Sequence, residues 1–204
     1  MPPEAYPTQR LYRIKYQGPE GKASFKLALY LESAESYRMQ ASDALGRKLW
    51  SLDLDPTGRA TWLDHRGESF CKTSGGRLDF LPLARMPLAS LPKLLLGRLP
   101  TPPFGDVQRS TAGHLTYLDQ SGQRWNGSSF GQGLEWWSLE EAGDVVAWWR
   151  REEEGGSFVH RGTDQQVRWQ EVVREVLQEG LTPVAVPRDY AERECGLIGS
   201  AVPG

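Results

Sequence analysis

Three histidines, His65, His114 and His160, and two cysteines, Cys71 and Cys195, are the first residues in this chain whose types could do chemistry. None of the histidines has another His, a Cys or a carboxylate at metal-ligand spacing on the same face, and chain order gives no nucleophilic triad. They read as surface histidines, solvated or hydrogen-bonded. The cysteines lack the CxxC spacing of zinc or redox sites. A long-range disulfide in an oxidising compartment and two unrelated buried thiols both remain open. Asp53, Asp55 and Thr57-Gly58, with Asp64 at the twelfth position, copy the ligand spacing of a calcium loop. Strands flank the segment, however, and Asp stands where the bidentate Glu belongs, so a hairpin turn is expected. Glu152-Glu153-Glu154 reads as a solvated loop rather than an acid-base pair. Asn126-Gly127-Ser128 spells a glycosylation acceptor but is expected to mark a turn. No catalytic residue, metal or cofactor is expected, and with no nucleophile-elbow pattern and no credible base the chain is not read as an enzyme.

Eight tryptophans in 204 residues are a stronger signal. Trp136-Trp137 and Trp148-Trp149 are consecutive, and neighbours on a strand point to opposite faces, so each pair places one ring on either side of a sheet. Core packing by cross-strand aromatics accounts for most of them. An aromatic wall for a hydrophobic ligand, or an interaction surface, is the functional alternative.

The elements that must position these rings are nearly all strands. Tyr12, Ile14 and Tyr16 alternate with Arg13 and Lys15, and Phe25, Leu27, Leu29 and Leu31 alternate with Ser24, Lys26, Ala28 and Tyr30. The pattern continues through Tyr37 to Ala41, Trp50 to Leu54, Ala60 to Leu63, around Phe70, and Leu78 to Phe80. It resumes at His114 to Leu118, Gln123 to Trp125, Leu134 to Leu139, Val145 to Arg150 and Ser157 to Arg161. Short turns connect them, which predicts meanders of antiparallel strands. Residues 167 to 177 fit a helical face or a strand; pattern alone favours the helix. The expected architecture is a single mainly β domain over 1–204, with an extended lead-in at 1–8 and an extended tail at 183–204. Its large antiparallel curved sheet forms an unclosed β-barrel.

Leu81 to Pro103 is the one apolar segment that does not alternate. Ser90 is a good N-cap, Pro92 sits in the first turn, and Gly97 and Pro100 end a short helix whose Leu88, Leu91, Leu94, Leu95 and Leu99 form one apolar side. This insert is expected to be a lid or plug. It is too small to cover the concave face of about ten strands spaced roughly 4.8 Å apart, so either the interior is filled by its own side chains or a cavity remains. At roughly 0.8 kcal/mol per buried CH₂, part of an acyl chain would bind there usefully. Composition excludes other partners. The net charge is −2, and Lys and Arg are scattered along the chain, which argues against nucleic acid and against an anionic bilayer surface. No stretch approaches the roughly 18 apolar residues of a membrane span, and residues 1–10 read as neither export signal nor anchor.

Three stretches carry a family resemblance: Tyr12 to Asp55 (YRIKYQGPEGKASFKLALYLESAESYRMQASDALGRKLWSLDLD), the insert LPKLLLGRLP, and the closing VRWQEVV and TPVAVPRDY. In pattern and order the chain resembles the bacterial lipoprotein-localisation (LolA/LolB-like) superfamily, which contains the periplasmic lipoprotein carrier and the outer-membrane lipoprotein receptor. The resemblance implies an unclosed barrel with helices over its mouth and lipoprotein acyl chains in its apolar interior. It also implies that Val167 to Val173 is a late strand. On that reading Tyr12, Ile14, Phe25, Leu27, Leu29, Met39, Trp50, Leu52 and Trp62 line the inner face, and Leu91, Leu94 and Leu95 form the lid. The implied partners are lipid or lipoprotein acyl chains, possible envelope proteins and no nucleic acid. The protein would be a monomer in the periplasm or on the periplasmic face of the outer membrane. The alternative is a structural or interaction module of the envelope, with a filled barrel and a tryptophan-rich outer contact face.

Overall fold

The computed structural model describes residues 6–19, 21–33, 35–74, 88, 91–98, 103–119, 122–130, 133–180 and 184–195. The first meander comprises β1 (Thr8–Gly18), β2 (Gly21–Leu31), β3 (Tyr37–Ser42), β4 (Lys48–Leu54), β5 (Ala60–Asp64) and β6 (Ser69–Thr73). After the short helix α1 (Leu91–Leu95) come β7 (Pro103–Arg109), β8 (His114–Asp119), β9 (Arg124–Phe130), β10 (Gly133–Glu141), β11 (Asp144–Glu152) and β12 (Gly155–His160). The chain closes with β13 (Gln165–Val176) and β14 (Ala191–Glu192). The expected strand at Leu78 to Phe80, and Ser90, Leu99 and Pro100 of the insert, lie outside the described residues.

A turn motif explains why these strands fold back where they do. Asp43-x-x-Gly46, Asp55-x-x-Gly58 and Asp119-x-x-Gly122 each close a hairpin, with the glycine at φ 83, 80 and 77° and its N–H donating to the aspartate carbonyl. The aspartate side chain accepts backbone N–H groups across the same turn, as Asp55 Oδ1 does from Thr57 and Arg59. Left-handed φ suits glycine, and Asx bonding suits aspartate. The calcium-like spacing around Asp53 is therefore a hairpin turn, with Asp53 itself paired to Arg38 at 3.1 Å.

All fourteen strands form one sheet in the order β14-β6-β5-β4-β3-β2-β1-β13-β12-β11-β10-β9-β8-β7. Every pairing is antiparallel except β14 with β6. The long β1–β13 pair stitches the two meanders together. The outer strands β14 and β7 do not pair with each other, so the barrel is unclosed. Pattern favoured a helix for residues 167 to 177, and that is corrected: 167 to 176 belong to β13, and Leu177 follows it. The segment sits between β1 and β12, where an extended chain satisfies its amides at both edges, and a helix would leave both neighbours unpaired. Asn126-Gly127-Ser128 is likewise no turn but the middle of β9. The Asn126 amide accepts from Thr116 Oγ1 and donates to Glu140 Oε1 across the two neighbouring strands.

The core lies on the concave face. Tyr12, Ile14 and Tyr16 are buried there while Arg13, Lys15 and Gln17 are exposed. In the second half the inner member of each tryptophan pair joins an aromatic ladder, Trp125–Trp137–Trp149–Trp169, with ring centroids 5.0, 6.5 and 6.4 Å apart. Glycines make room: a Cβ at Gly156 would come 2.7 Å from the Trp169 ring. The outer members, Trp136 and Trp148, are half-buried under His114 and under the Arg161 guanidinium respectively. Cys71 and Cys195 form a disulfide with Cα atoms 5.1 Å apart, which ties the tail to β6, the strand that β14 borders.

Candidate functional site

The tryptophan ladder fills the second half of the barrel, whereas the first half keeps a gap. Neighbouring strands bring Ile14 and Tyr16 from β1, Phe25 and Leu27 from β2, Met39 from β3, Trp50 from β4, and Val167 and Trp169 from β13 around one cavity. Leu91, Leu94 and Leu95 of α1 close it, and its volume is about 80 Å³. Among the described residues no charged side chain lines it. That is about half of the roughly 150 Å³ of an engineered apolar cavity that takes up benzene, so only a few methylenes fit while α1 is seated.

The sequence of α1 explains its shape. Pro92 supplies a helical φ without a wasted donor. Gly97, at φ 66°, then ends the helix: its N–H donates to the Leu94 carbonyl, and Arg98 N–H donates to the Lys93 carbonyl at 2.8 Å. These two bonds are the glycine-terminated C-cap pattern. Leu91, Pro92 and Leu94 are buried against the sheet. Two side chains also hold the insert by its carbonyls. The Tyr37 hydroxyl donates to Leu88 O at 2.6 Å, and Trp149 Nε1 donates to Leu94 O at 3.0 Å. Burial pushes the Tyr37 pKa far above its ordinary value, so the hydroxyl stays a neutral donor.

Beyond Leu95, on the same concave side, lies a second pocket of about 450 Å³ with opposite chemistry. Arg10, Tyr12, Glu171 and Arg174 line one wall, and the hairpin Glu152–Glu154 lines another. Arg10 is only 4% exposed, and its Nη1 meets Glu171 Oε2 at 2.8 Å. Arg174 Nε donates to the other carboxylate oxygen at 2.8 Å. Burial alone would raise the Glu171 pKa, but hydrogen bonds and charge from Arg174 and Arg10 outweigh it and hold the carboxyl below its usual range. A bulge creates this geometry. Tyr12 faces Glu171 and Leu11 faces Val173, so Val172 is an extra residue in β13 and the strand turns there. The three glutamates are a solvated hairpin, as expected, and also a pocket rim.

Of the residues expected at the inner face, Ile14, Phe25, Leu27, Met39, Trp50, Leu91, Leu94 and Leu95 border the apolar cavity. Tyr12 lines the polar pocket instead, and Leu29, Leu52 and Trp62 are packed in the core. Tyr16, Val167 and Trp169 were missed. Tyr16 continues the alternation of Tyr12 and Ile14 and was legible; Val167 and Trp169 became visible only once β13 was placed.

His114 is exposed as expected, whereas His65 and His160 are more enclosed than surface histidines. His160 is 5% exposed and accepts at Nδ1 from Thr163 N–H, capping a 3₁₀ turn. His65 joins a chain resembling nucleophile, base and orienter: Ser51 Oγ lies 2.8 Å from Nε2, and the Tyr190 hydroxyl lies 2.9 Å from Nδ1. Ser51 is 4% exposed, which leaves a substrate carbonyl no approach, and the chain instead clamps the tail to the convex face. Burial and the Lys48 charge lower the His65 pKa, with Asp64 acting against them. Among the described residues no three His, Cys, Asp or Glu side chains gather to hold a metal ion. No helix there is long and apolar enough to cross a membrane.

The open antiparallel sheet, with a short helical insert seated in its concave face, is similar in fold to two solved structures. The structure of the LolA superfamily protein NE2245 from Nitrosomonas europaea superposes with a TM-score of 0.53 at 9% identity, over 88% of this chain and 89% of that one. A DUF1329 family protein from Desulfovibrio piger superposes with a TM-score of 0.55 at 8% identity, over the same shares. No family model matches the sequence, and no curated protein sequence matches it significantly.

Proposed function

We propose that this protein is a non-enzymatic carrier or receptor that binds lipid acyl chains, those of lipoproteins foremost, in a bacterial envelope. The observation that carries the reading is the uncharged cavity under α1, a helix held in place by two side-chain hydrogen bonds and its own leucines. The empty gap is small, so a whole acyl chain enters by lifting α1 and taking over the surface that Leu91, Leu94 and Leu95 now cover. The exchange is nearly balanced: leucines leave an apolar face and methylenes replace them at roughly 0.8 kcal/mol each. Ligand length therefore tunes affinity, and release needs no covalent step. The fold shared with LolA superfamily structures supports this reading, and the Cys71–Cys195 disulfide fits an oxidising compartment such as the periplasm.

Native mass spectrometry of the purified protein tests it. An added mass matching a fatty-acyl or diacylglyceryl species, lost on organic extraction, is expected. A mass unchanged after incubation with lipopeptide would reject the carrier and leave an interaction module with a filled interior.

A further inference from the structure

Strand register gathers, on the convex face, cations that the sequence scatters. Where β13, β1 and β2 run side by side, Arg13 stands opposite Lys26, Lys15 stands opposite Arg168, and Lys22 stands opposite Gln17. The remaining outward positions of this block are Ser24, Gln166 and Gln170. Five cations thus share an area two strand spacings wide, roughly 10 Å, and roughly 13 Å long, with no acid among these positions. All five are exposed, and among the described residues none is in an ion pair, whereas Arg10, Arg38, Arg47 and Arg174 all are. The reading of scattered charge is therefore corrected.

Like charges directly across a strand pair destabilise a sheet. A chain of net charge −2 has acids enough to avoid them, so the arrangement points to a ligand. Between Lys15, Lys22 and Arg168 runs a shallow groove of about 560 Å³ that also exposes Ser24 and Gln17. Lysine and arginine offer only donors, so the complement is an anion rich in acceptor oxygens. The outward positions of the block carry no aromatic or large apolar side chain, and Tyr16, which borders the groove together with Ala23, is only 3% exposed and offers no ring face to a partner. A protein partner needs such an anchor at the centre of its contact, and single-stranded nucleic acid needs aromatic rings to stack on. An anionic bilayer needs only spread positive charge.

We propose that this face docks the protein on membranes rich in anionic phospholipid, the phosphodiester oxygens lying along the Lys15–Lys22–Arg168 groove. The docking does not depend on the apolar cavity.

Sedimentation with vesicles of phosphatidylglycerol and phosphatidylethanolamine, against vesicles of phosphatidylcholine alone, tests the proposal at low salt. The protein should prefer the anionic vesicles, and raising the ionic strength should abolish the preference. Lys15→Gln with Lys26→Gln should weaken binding about 25-fold, about fivefold per cation, because both side chains are exposed and the fold is not at stake. Lys15→Arg with Lys26→Arg should retain it, and so should Lys72→Gln near the sheet edge. Equal binding of the Gln double variant, or no preference for anionic vesicles, overturns the proposal. So does binding to an acidic polypeptide or nucleic acid without binding to vesicles. Acyl adducts keep the two readings apart: their absence from a wild-type protein that still docks on vesicles counts against the carrier alone, and their presence on the double variant that no longer docks leaves the carrier standing.

Discussion

Replacing Tyr37 by phenylalanine separates a carrier whose lid lifts from one whose lid stays seated. The substitution keeps the ring and removes only the hydroxyl that donates to Leu88 O at 2.6 Å. Tyr37 and Leu88 are each 2% exposed, so no water replaces the lost donor. Stranding a buried carbonyl costs about 1–3 kcal/mol, and about 1.5 kcal/mol serves as a working figure. That cost falls on the closed, empty protein. In a loaded protein with α1 displaced, the wild type has already broken the bond, so the variant loses nothing there. Closed-state destabilisation then becomes affinity: 1.5 kcal/mol is about a tenfold lower Kd. Two measurements decide the matter: urea unfolding of the empty proteins, and equilibrium displacement of a fluorescent fatty-acyl probe. The expected pair of results is lower stability with tighter binding. Lower stability with unchanged or weaker binding would refute displacement of the lid, since the bond would then survive in the loaded state.

Two further perturbations read the parts that hold the site. Cys71→Ser should lower unfolding stability by about 2–5 kcal/mol, because the disulfide closes a loop of 124 residues; reductant should reproduce the loss in the wild type and leave the variant unmoved. An unchanged urea midpoint would show that the tail's covalent tie contributes nothing to holding β6. Glu171 titrates below its ordinary value of 4.5 in the folded protein, so its contribution is present above that pH and lost as pH falls through the folded pKa. Glu171→Gln should therefore be less stable than wild type at pH 7, by up to about 3 kcal/mol, since it leaves the Arg10 charge buried without its carboxylate. The two stability curves should converge on acidification below about pH 4; parallel curves would sink the argument.

How far the site could be read from sequence differs residue by residue. Ile14, Phe25, Leu27, Met39 and Trp50 reveal themselves by alternation, which is a property of each strand alone. Leu91 and Leu94 reveal themselves by being the apolar positions of a segment that does not alternate. That Leu29, Leu52 and Trp62 pack solidly while their neighbours border a gap depends on where α1 comes to rest, and no local pattern carries that. The polar pocket was invisible for a related reason. Arg10 and Glu171 are 161 residues apart and meet only because a one-residue bulge re-aims β13.

By itself the sequence determined which side of each strand is dry, where the Asp-x-x-Gly hairpins turn, and that the leucine-rich insert must lie against a sheet. These follow from forces acting within a few residues: side-chain alternation, left-handed glycine and Asx bonding. Tertiary structure decided everything that depends on which strands are neighbours. The segment Gln165–Val176 is compatible with either period and becomes a strand because β1 and β12 offer unpaired edges on both sides. The same pairing joins Arg10 to Glu171 and sets Lys15 against Arg168. Register is a long-range choice, made by the fit of whole faces rather than by any one stretch, and it converted a scattered set of charges into a surface.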